Sequence, residues 1–229
     1  MKPGYLCVLA MSAGLLGGCG GVFAQPQAPT ESNGINLHVC GRPAMDDKGV
    51  SRPLMTPEYV SYGNFFLQNA LSAKAIFPTS GEDELDAAAS CYGRALQLSR
   101  ESYEATLGMG VIHVSRAQTA IESRHTDDAK ASLIAAKQML GTAYMIRRGA
   151  FEPLFYLAWV ASLEDETKQA ISILDELKAA GYRPGAVALL YGSIQEEEGA
   201  KEASQKAYQQ VIREGWPEEA VDFAKGKIK

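Results

Sequence analysis

Histidine is scarce in this chain: His38, His113 and His125 are the only three, each remote in sequence from the others. That scarcity leaves no zinc-ligand spacing and no metalloprotease helix. His38 stands two residues before Cys40, but two ligands do not make a metal site, and a surface histidine beside a structural cysteine accounts for the pair. Phosphate-cradling glycine loops are missing as well, because Gly108-Met109-Gly110 lacks a third glycine and any preceding strand. No nucleophile elbow is present. The acidic clusters (Asp46-Asp47, Asp127-Asp128, Glu164-Asp165-Glu166, Glu196-Glu197-Glu198) fall mostly at turns and helix ends, where carboxylates are solvated or complement the helix dipole. No catalytic residue, metal or cofactor is therefore expected, and the expected class is not an enzyme. Excess positive charge is lacking too; a formal net charge of -5 argues against nucleic acid as the main partner. Runs of Val, Ile and Thr are few while alanine is plentiful, which is the profile of an all-α protein.

The apolar stretch Tyr5 to Leu16 is too short to span a bilayer as a stable helix, and Lys2 precedes it. Residues 1–18 read as an export signal. Leu16-Gly17-Gly18-Cys19 resembles the lipobox of bacterial lipoproteins, and that resemblance implies lipidation of Cys19. Gly20 after it lacks the Asp that commonly retains such proteins in the inner membrane, so the resemblance implies the periplasmic face of the outer membrane. Val22-Phe23-Ala24 offers a second cleavage site, which would release a soluble periplasmic protein beginning at Gln25. Cys7 would leave with the signal and Cys19 would carry the lipid. Cys40 and Cys91 then remain as an even pair in an oxidising compartment. A Cys40–Cys91 bridge would staple the N-terminal arm to the first helical pair; the other reading of Cys91 is a small buried hydrophobe in a helix.

Residues 19–56 are expected to be a tether and irregular arm, the part from Gln25 to Asn36 being polar and rich in breakers. Residues 57–229 are expected to be helical throughout. Thr56-Pro57-Glu58 reads as a helix start, and the helix should run to about Ala75. Glu82 to Ser99, Tyr103 to Glu122 and a helix capped by Thr126-Asp127-Asp128 follow, and Gly141 to Gly149 is expected to be a connector. Then come Phe151 to Leu163, Thr167 to Ala180, Gly185 to Glu198 and Lys201 to Glu214. A last helix from Pro217 to about Lys225 would cover the end, with Val221, Phe223 and Ala224 inward and Lys225, Lys227 and Lys229 solvated.

Between Phe151 and Pro217 one helical hairpin is written twice. Ala158 recurs as Gly192 and Leu174 as Tyr208, both at an offset of 34 residues, and Pro184 and Pro217 close the two copies. Such a period signals stacked repeats. With Leu107-Gly108 and the Ala88, Tyr92, Ala95 series, these positions resemble the tetratricopeptide repeat family. The resemblance implies antiparallel helix pairs in a short right-handed superhelical solenoid, ended by the capping helix. It also implies a concave groove lined by the first helix of each pair. Carried over, its residues are Met109, Ile112, His113 and Arg116, then Phe155 and Trp159, then Leu189 and Ser193. Leu154, Leu157 and Ala161 would face the neighbouring helices instead, although a tryptophan such as Trp159 also suits a core position. Architecture and address together are similar to the small repeat lipoproteins that assist pilus, secretion or outer-membrane protein assembly, such as Tad/Flp pilus lipoproteins and pilotins. The expected function is a lipid-anchored adaptor holding a periplasmic or outer-membrane protein in the groove. A cell-wall enzyme or its regulator is the alternative.

Overall fold

Three tight turns of the same construction set the architecture. The structure, a computed structural model, describes residues 40, 44–45, 51–76, 81–215 and 218–228. In each turn three residues join two helices and the middle one is left-handed: Arg124 at φ 61°, Asp165 at φ 60° and Gly199 at φ 74°. The next amide closes a six-residue loop back onto the preceding helix, from His125 to the Ala120 carbonyl, from Glu166 to that of Ala161 and from Ala200 to that of Gln195, each at 2.8 Å. This is the Schellman arrangement, which uses the carbonyls a helix end would leave orphaned and turns the chain back on itself. Asp165 and Gly199 are again 34 residues apart, so the repeat seen in side-chain pattern is also a repeat of backbone geometry.

The fold is all-α, with nine helices among the described residues: α1 (Thr56–Ile76), α2 (Glu82–Leu98), α3 (Tyr103–Glu122), α4 (Thr126–Ile146), α5 (Phe151–Leu163), α6 (Thr167–Ala179), α7 (Pro184–Glu197), α8 (Lys201–Glu214) and α9 (Glu218–Lys227). They pack as antiparallel pairs, α1 on α2, α3 on α4, α5 on α6 and α7 on α8, with α9 lying on α8. Each second helix also touches the first helix of the next pair, and α1, α3, α5 and α7 touch one another in succession. No comparable contact joins α2, α4, α6 and α8. The sequential contacts are those of a stack of pairs whose second helices are splayed. No described helix is long and apolar enough to cross a membrane.

Side chains at the pair interfaces explain the closeness. The Tyr92 ring is fully buried and lies in a notch formed by Gly63 of α1 and Gly108 of α3. A Cβ at Gly63 would stand 2.5 Å from that ring, and one at Gly108 would overlap it. Its hydroxyl donates to Asn64 Oδ1 at 2.6 Å, and burial pushes its ionisation far upward, so it stays a neutral donor. Across the pairs, Arg116 of α3 bonds Asp86 of α2, and Lys137 of α4 reaches Glu164 at 2.7 Å. Arg147 bonds Glu104 at 2.7 Å while its guanidinium lies 3.7 Å from the centroid of Tyr103. These pairs are partly exposed and set register more than they add stability.

In the N-terminal arm, the described residues include two short strands. Strands β1 (Ala44–Met45) and β2 (Ser51–Arg52) pair antiparallel, Ala44 opposite Arg52. Cys40 is bonded to Cys91, with Cα atoms 5.2 Å apart, so the staple to α2 is formed and both cysteines are buried. Four other expectations need correction. Gly141 does not begin a connector: α4 runs through it to Ile146, because Leu140 and Ala143 are buried on one side while a Cβ at Gly141 would meet nothing within 4 Å. The N-cap of α4 is His125, and Thr126 is already helical, with no side-chain cap. Before α1 it is Met55, whose amide donates to Glu58 Oε2 at 2.9 Å, half of a capping box. In α9 the expected cover is present, with Ala220, Val221 and Ala224 buried and Phe223 edge-on to Tyr208 at 5.9 Å. Lys227, however, is not simply solvated: it bonds Glu196 Oε1 at 2.8 Å, and the Tyr208 hydroxyl donates to Oε2 of the same carboxylate at 2.8 Å. Cys19 and residues 1–39 lie outside the described residues, as does Lys229.

Two stability predictions follow from this geometry. Arg124→Gly removes the left-handed penalty of an L residue and should raise stability by up to about 1 kcal/mol, whereas Gly199→Ala should cost about 1–2 kcal/mol; thermal melts compare them. Cys40→Ala opens a loop whose ends are 51 residues apart and should cost about 4 kcal/mol on the chain-entropy model, read as a lower urea midpoint.

Candidate functional site

The eight groove positions divide sharply in the structure. Phe155, Trp159, Ile112 and Leu189 are wholly buried, and Ser193 is nearly so. Met109, His113 and Arg116 of α3 are half-exposed. On α5 the expected exposure of Phe155 and Trp159 is not found: both lie in the core with Ala161, while Leu154 and Leu157 are only partly buried and pack against it. The physical reason is composition: Phe155, Tyr156, Ala158, Trp159, Val160, Ala161 and Leu163 cover every side of α5. A helix apolar all round goes to the centre of a structure. Accordingly α5 is packed on α3, α4, α6 and α7. Tyr156 stacks on Trp159 with centroids 6.3 Å apart, and Phe155 meets Tyr156 edge-on at 5.6 Å. His113 is held below its usual range by burial and then by the nearby Arg116, so it is neutral at pH 7. Arg116 is engaged by Asp86. Met109, His113 and Arg116 form a partly buried row along α3, tied to α2 through the Arg116–Asp86 pair.

A different surface has the character of a site. Where α6 and α8 are not packed closely together, a cleft of about 370 Å³ opens over α7. Pro184, Val187, Ala188 and Tyr191 of α7 form its floor, with Ala203 and Ala207 from α8 beside them. Lys178, in the last turn of α6, stands on one wall. Lys206, Gln209, Gln210 and Arg213 of α8 stand on the other. Val187, Ala188 and Ala207 are buried, Tyr191 is half-buried, and the three cations are exposed. Lys178 Nζ lies 6.0 Å from the Tyr191 centroid, at the edge of cation–π range.

No carboxylate lines this cleft, and none of its three cations is ion-paired with a described residue. The lining therefore combines an apolar floor, an aromatic face, two amides and three cations, a chemistry suited to an anionic, partly apolar ligand. Among the described residues no three His, Cys, Asp or Glu side chains gather as metal ligands.

The cleft was not foreseen from the sequence. Lys206, Gln209, Gln210 and Arg213 do fall at i, i+3, i+4 and i+7 along α8, but such a row reads as a solvated helix face until Lys178 and Tyr191 are brought opposite it. Compared with protein-family models, with curated proteins and with solved structures, the chain matches none.

Because Trp159 is core, Trp159→Ala should lower stability by about 3–5 kcal/mol, seen in urea unfolding. Lys206→Ala, at an exposed position, should stay within about 0.5 kcal/mol of wild type.

Proposed function

We propose that this protein is a periplasmic adaptor, anchored to the outer membrane by lipid on Cys19, whose tetratricopeptide-like pairs form a short solenoid that holds a protein partner. Assembly of a pilus, a secretion apparatus or an outer-membrane protein complex is the task this reading assigns to it. The observation that carries it is the cation-lined cleft left open between the third and fourth helix pairs. The half-exposed face of α3 around Met109, His113 and Arg116 is a second contact area. Support for the architecture comes from the sequential pair contacts and from the 34-residue recurrence of the turn at Asp165 and Gly199. Support for the compartment comes from the buried Cys40–Cys91 disulfide, a bond kept in oxidising surroundings.

Site-specific photo-crosslinkers at Gln209 and at Arg116, introduced in intact cells, test the adaptor role. Discrete protein adducts from at least one position, absent at the exposed control Lys130, are expected; no adduct from either overturns it. Mass spectrometry of the mature N-terminus tests the anchor. An acylated Cys19 is expected, and a chain beginning at Gln25 would mean a soluble periplasmic protein.

A further inference from the structure

The chemistry of the cleft specifies its occupant more narrowly than "a protein", and the inference rests on the adaptor reading above. We propose that the cleft between α6 and α8 binds an extended acidic segment of a partner, in polyproline-II form, with carboxylates three residues apart.

Charge comes first. Lys178, Lys206 and Arg213 face the cavity with no acid among its lining residues, although the chain as a whole carries a net charge of -5. A local excess of this kind in an acidic protein selects a ligand carrying a few carboxylates. It does not suit a long polyanion, which the net charge repels and which needs many cations along its backbone. Arg213 can take a carboxylate in bidentate fashion, and the lysines act as mobile point charges.

Spacing comes second. Lys206 and Arg213 are seven residues apart on one face of α8, about 10.5 Å along the helix. An extended β-strand returns a side chain to the same face about every 6.7 Å, which fits this interval poorly. A polyproline-II helix returns one every three residues, about 9.3 Å, which fits it well. The lysine stem absorbs the difference.

The floor agrees with the same geometry. Tyr191 offers a half-buried aromatic face flanked by Val187 and Ala188, the kind of surface on which proline-rich segments dock. Gln209 and Gln210 each bring a donor and an acceptor to the rim. A polyproline-II backbone keeps its own amides and carbonyls unpaired and so can use them.

The test uses the full-length protein in detergent and a fluorescein-labelled peptide Glu-Pro-Pro-Glu-Pro-Pro-Glu, followed by fluorescence anisotropy. Saturable binding that weakens with salt is expected. The same peptide with Gln in place of Glu should bind at least about tenfold more weakly, and Lys206→Glu and Arg213→Glu should each lose about tenfold. Both substituted side chains are exposed, and circular dichroism checks that helical content is kept. Equal binding of the Gln peptide, or unchanged binding by both variants, overturns the proposal. So does a thymidine oligonucleotide that binds more tightly than the acidic peptide. The cellular crosslink at Gln209 separates the two readings. Adducts there with no peptide binding leave the adaptor standing and remove the acidic ligand. Peptide binding without cellular adducts at Gln209 or Arg116 does the reverse.

Discussion

A pair of antiparallel helices cannot hide its own apolar flanks, and the rest of this structure depends on that. Each hairpin is thin, so the side chains on its flanks are buried only when the next hairpin lies against them. Tyr92 shows the rule at one residue. It belongs to α2, yet its ring is enclosed from one side by Gly63 of α1 and from the other by Gly108 at the start of the next pair. Remove the neighbour and a large ring with a polar tip is left against water. The chain meets the same need at its two ends with different material. A disulfide-held arm reaches α2 through Cys40, and α9 covers Tyr208 through Phe223.

From this packing the cleft follows. First helices touch in succession and second helices do so less, so the stack is tighter on one side than on the other. The gap between α6 and α8 is the wider side, and the part of α7 lying beneath it becomes a floor. Nothing about that gap requires a special loop or a strained backbone. It comes from uneven spacing of rods, and it acquires chemistry because α8 turns Lys206 and Arg213, and α6 turns Lys178, toward it.

The turns between paired helices are the most regular feature. Arg124, Asp165 and Gly199 occupy one conformation with one set of hydrogen bonds, although only one of them is the residue best suited to it. Closing the helix ends and bringing the two helices into contact outweighs a local cost of about 1–2 kcal/mol at an L residue. The first and second pairs have longer helices than the third and fourth. Between the second pair and the two shorter ones the turn survives that change in length, so it is a recurring geometric unit of these three pairs.

What the sequence determined alone was the local grammar. The 34-residue recurrence, the small residues at Ala158 and Gly192, and the closing Pro184 and Pro217, with the cap and breaker signals elsewhere, were enough to place α3, α5 and α8 at the ends they have and the others, apart from the C-terminal end of α4, within about two residues. Periodicity and turn chemistry act over short distances and are written in neighbouring residues. The Cys40–Cys91 staple was readable for a similar reason, since few partners were available. Other features were decided only by the tertiary structure. An apolar helix such as α5 has no face that its own letters mark as outward, so the burial of Phe155 and Trp159 depended on how many neighbours surround it. Gly141 reads as a breaker until the burial of Leu140 and Ala143 carries α4 through it. Lys178, Tyr191, Lys206 and Arg213 lie on three helices, and their charge and aromatic surface become one site only where two rods are held apart. Which side chains share a space is set by distances between elements, and those distances are properties of the whole stack.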